Sequence, residues 1–164
     1  MTLIRAIQPE DAAAVAGIFN YYIENTIVTF EEQAIDSAEM LRRIEAHPSH
    51  LPWLVFEAEG DVVGYALLTS WNSRCSYRES LESTVYLDPE AVGKGIGSRL
   101  YSELLGFARK GGFHTIMGGI SLPNPASQAL HEKFGYKKVA EFKEVGFKFG
   151  KRIDVGYWQV MLRE

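Results

Sequence analysis

The segment from Val92 to Ser98 has a glycine at every second position, between a predicted strand and a predicted helix. Gly93, Gly95 and Gly97 can adopt positive φ angles, and they let a ligand approach the backbone closely. The first N–H groups of the following helix point into this loop, and the helix dipole favours a negative charge there. The segment therefore predicts a binding site for a pyrophosphate.

Two familiar nucleotide-binding motifs fit this segment poorly. A Walker loop ends in Gly-Lys-Ser/Thr, but here Gly95 follows Lys94. A dinucleotide fingerprint needs a third glycine where Ser98 stands, and it belongs in the first β-α unit of a chain. A flexible glycine turn that binds nothing is the remaining alternative.

The predicted elements follow the order β-α-α-β-β-β-α-β-α-β-β. Apolar residues at helical spacing indicate one helix after Pro9 and another behind Ser37, which we expect to be its N-cap. Only part of the order alternates strand with helix, so a mixed sheet with helices on both faces fits better than a doubly wound fold. No repeat or linker interrupts residues 1–164, which we predict to form a single domain of the α/β (α+β) class.

The charge balance disfavours two classes of partner. Seventeen basic and twenty-one acidic residues give a net charge of -4. Nucleic-acid binders and membrane-surface binders usually need a basic face, so we expect neither partner. The N-terminal segment has two acids by position 11 and no long apolar run, and no stretch reaches the length of a membrane span. We therefore expect a cytoplasmic protein.

The sequence indicates no metal site. Cys75 is the only cysteine, so no intrachain disulfide can form and a cysteine-based metal site is not expected. His47, His50 and His114 lack an arrangement typical of metal ligands.

The glycine segment resembles the coenzyme A-binding motif of the GNAT acetyltransferase superfamily, Gln/Arg-x-x-Gly-x-Gly/Ala. Gly95 and Gly97 match its glycine positions, whereas Val92 stands where Gln or Arg is usual. Four further blocks resemble, in order and spacing, the phosphinothricin and methionine sulfoximine acetyltransferases. These blocks are ESTVY at 82–86, LPN at 122–124, LHEKFGY at 130–136 and DVGYWQ at 154–159.

This resemblance implies the GNAT fold, with a central mixed, mostly antiparallel sheet, and acetyl-CoA as co-substrate. In that family, backbone amides of the loop hold the pyrophosphate of coenzyme A without magnesium. Asn124 before a proline is also a favourable helix start, so capping and contact with the pantetheine arm are compatible roles. The residues that we predict to contact acetyl-CoA are Val85, Tyr86, Leu87, Val92, Gly93, Lys94, Gly95, Ile96, Gly97, Ser98, Asn124 and Ser127.

Glu82 is the predicted catalytic base. An amine attacks a thioester only when neutral, so a nearby base is needed to remove its proton. Strand alternation puts Glu82 on one face with Thr84 and Tyr86, an unusual position for a carboxylate unless it faces a wet cavity. A solvent-facing acid near the start of a strand is the alternative. In the resembling enzymes, the glutamate at this position is the proposed base.

His131 is the second predicted catalytic residue, one helical turn beyond Ser127. A histidine titrates near neutral pH, so it can orient the substrate, relay a proton or protonate the departing thiolate. The phosphinothricin group has a histidine at this helical position, where many GNAT enzymes have tyrosine. A helix-surface histidine without a catalytic role is the alternative, and the acid and base roles of His131 and Glu82 could be exchanged.

Five residues form the predicted substrate set. Arg74 and Tyr77 lie in the polar connection before the Glu82 strand, and a guanidinium fork suits an amino-acid carboxylate. The resembling enzymes have an arginine and a tyrosine here, together with an aromatic residue that matches Phe30. Thr84 and Val155 complete the set, and the position of Val155 implies a pocket at a homodimer interface. An exposed loop charge is the alternative for Arg74.

These features predict an N-acetyltransferase that uses acetyl-CoA to acetylate the α-amine of a small amino acid or analogue. The expected analogues are phosphinothricin, methionine sulfoximine and methionine sulfone, with direct attack on the thioester in a ternary complex. Another amine, such as a polyamine, an aminoglycoside or a protein N-terminus, is an alternative substrate, although Arg74 would repel a polycation. A non-catalytic acetyl-CoA sensor would need the glycine loop but not both Glu82 and His131.

Overall fold

The computed structural model describes residues 1–163, which contain seven strands, four α-helices and three short 3₁₀ helices. The strands are β1 (Thr2–Ala6), β2 (Trp53–Ala58), β3 (Asp61–Ser70), β4 (Ser80–Leu87), β5 (Thr115–Ser121), β6 (Lys137–Lys148) and β7 (Lys151–Met161). The helices are α1 (Ala12–Asn25), α2 (Ser37–Ala46), α3 (Ile96–Lys110) and α4 (Pro125–Lys133). This order is the predicted one. None of these four helices is long and apolar enough to cross a membrane.

All the strands belong to one sheet, in the order β1-β2-β3-β4-β5-β7-β6. Neighbouring strands are antiparallel except β4 and β5, so the sheet is mixed and mostly antiparallel as expected. The parallel pairing joins only residues 80–82 to residues 115–117. Beyond it, β4 pairs with β3 alone and β5 with β7 alone. An opening in the middle of the sheet therefore begins directly after Glu82.

Helices pack on both faces of the sheet, as predicted. One face forms a core with α3 that includes Leu68 and Leu81. The other face packs against α1 and α2 around Val55 and Tyr65. Because side chains alternate along a strand, β4 contributes to both layers, and neighbouring residues at the opening lie on opposite faces.

Local capping fixes the starts of two helices. The side chain of Asn124 accepts a hydrogen bond from the Ser127 N–H at 3.2 Å, so Asn124 caps α4 as the sequence indicated. The predicted N-cap of α2, Ser37, was wrong by one residue. Asp36 is its N-cap and accepts from the Glu39 N–H at 2.8 Å, whereas Ser37 is the first helical residue. The extended backbone of Asp36 brings its carboxylate over the free N–H groups of the first turn.

An ion pair connects β1 to the start of α1. The guanidinium of Arg5 donates to both carboxylate oxygens of Asp11, at 2.8 and 2.9 Å, and to Glu57 of β2 at 3.0 Å. Asp11 is buried and also accepts from the Gln8 N–H at 2.8 Å. The hydrogen bonds from Arg5 lower the pKa of the Asp11 carboxyl.

We expect Asp11→Asn to lower the free energy of unfolding by about 1–3 kcal/mol at neutral pH, because it removes the charge from a buried hydrogen-bonded pair. A lowered folded-state pKa gives stabilisation that is present above the unfolded pKa and is lost as the pH falls through the folded value. In urea denaturation, the difference from wild type should therefore shrink below about pH 4. Asp61→Asn, at an exposed carboxyl, is the control; a pH-independent deficit in D11N would contradict the assignment.

Candidate active site

A groove of about 360 Å³ lies where the end of β4, the glycine loop and the start of α4 meet. Eleven of the twelve residues predicted to contact acetyl-CoA line it, so the structure brings nearly the whole predicted set together. The twelfth, Lys94, is exposed and lines a separate pocket beside α1. Tyr22 and Val28 also line the groove. The sequence prediction missed both, because Tyr22 has the apolar helical spacing of a core residue and Val28 lies in a connection without a motif.

The glycine loop uses the left-handed backbone region at two positions. Gly93 has φ 77° and Gly95 has φ 79°, and a Cβ on either would meet no atom within 4 Å. The positive φ angle, not a lack of space, therefore favours glycine there. Gly97 differs from the prediction because it is the second residue of α3 and helical. A Cβ there would lie 3.4 Å from Leu130, an ordinary van der Waals contact, so the structure does not require glycine at this position.

The start of α3 is suited to a negatively charged ligand. Its N-cap, Gly95, has no side chain to bond the free N–H groups of the first turn, and that turn carries no acidic residue. Lys133 adds a positive charge at the rim, where its Nζ donates to Ser98 Oγ at 2.9 Å. The free N–H groups, the helix dipole and this ammonium group together fit a phosphate.

The main chain of β4 also has hydrogen-bonding groups directed at the opening. The Trp71 N–H donates to the Ser80 oxygen at 3.1 Å, and the Asp88 N–H donates to the Val63 oxygen at 2.8 Å. Even-numbered residues of β4 therefore bond to β3, and the residues between them direct their N–H and C=O groups to the other side. There β5 has separated, so the groups of Val85 are directed at the opening, where Val85 lines the groove.

Glu82 is the last residue of β4 that pairs with β5, opposite Met117. Its half-buried side chain lies on the same face as Thr84, as the strand alternation predicted. Burial raises the pKa of the Glu82 carboxyl, and within residues 1–163 no ion pair or hydrogen bond opposes that effect. A partly buried carboxylate with raised proton affinity, at the edge of the opening, has the properties of a general base.

His131 is only 3% exposed, so it is not a helix-surface residue. Its Nδ1 lies 2.7 Å from the Ser127 carbonyl oxygen, which can only accept a hydrogen bond. Nδ1 therefore carries the proton in the neutral ring, and Nε2 accepts from the Tyr101 hydroxyl at 2.9 Å. Burial lowers the pKa of the imidazole, which favours this neutral form at pH 7.

The imidazole of His131 packs against Gly118 of β5. A Cβ at Gly118 would lie 2.5 Å from its Nε2, so only glycine leaves room for the ring. Met117 pairs with Glu82, and the next residue along β5 faces the other side of the sheet. Glu82 and His131 therefore approach the opening from opposite faces.

Three buried hydroxyl groups extend the hydrogen bonds of His131 into the core. The Tyr101 hydroxyl lies 3.1 Å from Ser83 Oγ, which lies 2.9 Å from the Tyr136 hydroxyl. Tyr101 is fully buried and does not line the groove. Sequence reasoning missed this chain of hydroxyls, because each residue alone is typical of a core position.

A second pocket, of about 320 Å³, lies on the Glu82 face of the sheet and includes Thr84. We call it the aromatic pocket, because it is lined by the rings of Phe19, Trp53, Tyr65 and Tyr86. Its polar groups include an ion pair between Glu31 and Arg43 at 2.7 Å, which sequence reasoning missed because neither residue is part of a motif. Tyr86 lines both this pocket and the groove, so the two adjoin.

The five residues predicted to bind substrate do not meet in one pocket of the single chain. Thr84 lines the aromatic pocket, whereas Tyr77 lines a third pocket of about 350 Å³. Arg74 is exposed in the connection before β4. Phe30 packs against β6, and Val155 lies on β7.

Comparison with known proteins agrees with this geometry. Residues 4–156 match the acetyltransferase (GNAT) domain family. The phosphinothricin N-acetyltransferase of Streptomyces viridochromogenes is 38% identical over 95% of this chain and 85% of that protein. The L-methionine sulfoximine/L-methionine sulfone acetyltransferase of Salmonella typhimurium is 35% identical over 98% of this chain and 95% of that protein. An acetyltransferase structure from Salmonella typhimurium with its cofactor acetyl-CoA has a TM-score of 0.94 and 35% identity, covering 99% and 95% of the two chains.

This chain therefore belongs to the GNAT acetyltransferase family and has the fold of that family, which makes it an acyltransferase. Within the family, it is similar to the phosphinothricin and methionine sulfoximine acetyltransferases. Both levels of the resemblance predicted from the sequence are confirmed.

We expect Gly118→Ala to reduce acetyltransferase turnover by about tenfold or more and to destabilise the fold by about 1–3 kcal/mol. The added Cβ, 2.5 Å from Nε2 of His131, would displace the imidazole and break its hydrogen bond to Tyr101. Gly106→Ala in α3 is the control, since a Cβ there meets no atom within 4 Å. Initial rates and urea unfolding test both effects; wild-type turnover in G118A would show that the position of the imidazole is unimportant.

Proposed function

We propose that this protein transfers the acetyl group of acetyl-CoA to the α-amine of a small amino acid or analogue, of the phosphinothricin, methionine sulfoximine or methionine sulfone type. The arrangement at the opening between β4 and β5 carries this proposal. There, a groove with an anion-binding helix start adjoins the sheet face that bears Glu82, a carboxylate with a raised pKa. Two relatives, 38% and 35% identical to this chain, are named as acetyltransferases of phosphinothricin and of methionine sulfoximine or methionine sulfone, which supports the substrate class.

The groove provides a different kind of contact for each part of acetyl-CoA. The free N–H groups at the start of α3 hold the pyrophosphate, and Lys133 contributes charge at the rim. The N–H and C=O of Val85 bond the amide groups of the pantetheine arm. Asn124 and Ser127 border the same groove at the start of α4. These contacts direct the arm along β4 towards Glu82.

Glu82 removes the proton from the substrate amine. Acetyl-CoA supplies the acetyl thioester, whose carbonyl carbon gains the C–N bond as the C–S bond breaks and the sulfur leaves with the electron pair. The raised pKa of Glu82 makes it a stronger base than an exposed glutamate, acting directly or through one water. Direct attack requires both substrates to be bound at once, in a ternary complex.

His131 acts on the side of the leaving group. It lies on the face opposite Glu82, so an amine that approaches from the Glu82 face does not reach it. Its tautomer is fixed by the Ser127 carbonyl, and its Nε2 is bonded to Tyr101. We therefore assign to this neutral imidazole the orientation of the start of α4 and of the buried hydroxyl groups on this side of the opening, and not the role of base.

The acceptor binds on the Glu82 face. The rings of the aromatic pocket contact the apolar part of the amino acid, and Thr84 and the Arg43–Glu31 pair provide polar contacts. Arg74 and Tyr77 hold the substrate carboxylate from the connection before β4, since a guanidinium fork matches a carboxylate.

A homodimer would complete this site. The β6–β7 hairpin carries exposed large apolar side chains, which on a monomer would form an unusually apolar surface. Val155 and Phe30 lie on or against the same hairpin. A second copy that covers the hairpin would bring these residues close to a pocket. The exposed side chains, each 50–61% accessible, are Val139, Phe142, Val145, Phe147 and Phe149.

The release of coenzyme A thiol from acetyl-CoA, measured with a panel of amines, tests the substrate class. The panel contains phosphinothricin, methionine sulfoximine, methionine sulfone, common amino acids, spermidine and a short peptide. We expect turnover only with the amino acids and their analogues. Turnover of spermidine or the peptide alone would contradict the substrate class, and acetyl-CoA binding without turnover of any acceptor would favour a non-catalytic sensor.

We expect Glu82→Gln to lower kcat by about 100-fold or more, because glutamine cannot accept the amine proton. Wild-type kcat/KM should fall as the pH drops through the raised pKa of Glu82, above the usual value of about 4.3 for glutamate, because the protonated carboxyl is not a base. This acidic limb should be missing from the profile of E82Q. Glu79→Gln, at an exposed residue just before β4, should keep the wild-type rate and profile. An unchanged acidic limb in E82Q would assign the base to another group.

We expect Val145→Glu to weaken self-association by about tenfold or more, because it puts a charge into the centre of an apolar interface. Sedimentation over a range of concentrations measures this change, and activity should fall with the dimer fraction. Leu3→Glu, at an exposed residue on the opposite edge of the sheet, should leave association unchanged. A wild-type chain that is monomeric while fully active would rule out the dimer.

A further inference from the structure

Lys148 of β6 is a buried cation that forms no salt bridge within residues 1–163, although the charge of Glu32 is close enough to favour its protonated form. It is 1% exposed, and its ammonium group donates to the main-chain oxygens of Thr26 at 2.7 Å and Thr29 at 2.8 Å. The ring of Phe149 lies 5.0 Å away, from its centroid to Nζ. None of the ion pairs within residues 1–163 includes Lys148. Burying an ammonium group is unfavourable unless protein groups replace the water molecules that it loses. We therefore expect Lys148 to keep its two hydrogen bonds to Thr26 and Thr29.

The position of Lys148 complements the end of α1. Thr26 is the C-cap of that helix, whose last turn contains no basic residue. The carbonyl end of a helix carries a partial negative charge, which an ammonium group stabilises. Lys148, which lies on β6 and 122 residues after Thr26, therefore provides the positive charge at the end of α1.

The segment that Lys148 holds forms one wall of the aromatic pocket. Residues 26–36 connect α1 to α2, and Thr29 and Glu31 from this segment line the pocket. Phe30, between them, packs over Gly146 of β6, where a Cβ would lie only 2.4 Å from its ring. Two contacts with β6, one polar and one apolar, therefore fix the same short stretch of the wall.

We propose that Lys148 is a positioning residue that fixes the wall of the aromatic pocket and thereby sets the affinity for the acceptor amine. This inference rests on the proposed function, in which the amine binds on that face. Acetyl-CoA is held mainly by the glycine loop and α4, which Lys148 does not contact. Only Val28 from residues 26–36 lines the groove, so the effect on acetyl-CoA is smaller.

Lys148→Met tests the inference, because it keeps a side chain of similar length but removes the three donors. We expect KM for the amine to rise about tenfold or more, while kcat and KM for acetyl-CoA change less than about threefold. Lys151→Met is the matched control, since Lys151 is exposed and directly opposite Lys148 across the hairpin. Val160→Ala, in the core on the other face, reports the effect of a general loss of stability.

A second variant and a second measurement do not depend on the folding of K148M or on turnover. Gly146→Ala should displace Phe30 and also raise KM for the amine. Hydrogen exchange of residues 26–36 should be faster in K148M than in wild type, and unchanged in K151M.

The outcomes separate this inference from the proposed function. An unchanged KM for the amine in both K148M and G146A would overturn the inference, as would a rise in K148M that V160A reproduces. If the wild type acetylates no amine of the panel, the proposed function fails and so does the specificity role. Hydrogen exchange then decides alone whether Lys148 fixes the segment.

Discussion

The separation of β4 from β5 after three paired residues is the constraint on which the site depends. If β4 and β5 stayed paired along their whole length, the N–H and C=O groups of Val85 would form hydrogen bonds with β5. They would then not be free to bind a ligand. Because β4 runs into the glycine loop and α3, the anion-binding helix start lies beside the same opening. One interruption of the sheet thus combines a polar strand edge with a helix N-terminus.

The opening also explains why the two predicted catalytic residues differ in environment. Glu82 lies where the pairing ends and is only partly buried, so burial raises its pKa while the carboxyl stays at the edge of the opening. His131 lies in the core on the other side, with both nitrogens bonded and Gly118 leaving room for its ring. In the proposed reaction, the amine arrives on the face of Glu82 and the thiolate leaves on the face of His131.

The aromatic pocket is built from segments far apart in the chain. The wall at residues 26–36 is fixed by Lys148 and by the contact of Phe30 with Gly146, both on β6. Glu31 of that wall then pairs with Arg43 of α2. The contacts that fix this wall come from β6 and do not involve the glycine loop.

The sequence by itself determined the order of strands and helices, the glycine loop and the cap at Asn124, because alternation, turn chemistry and capping act over a few residues. It also put Glu82 on the correct face. It did not reveal the separate pocket that Lys94 lines, the helical position of Gly97 or the hydrogen bonds of the buried His131. The tertiary structure decided these features, since they depend on which strands pair, where the pairing stops and which distant side chains then come into contact.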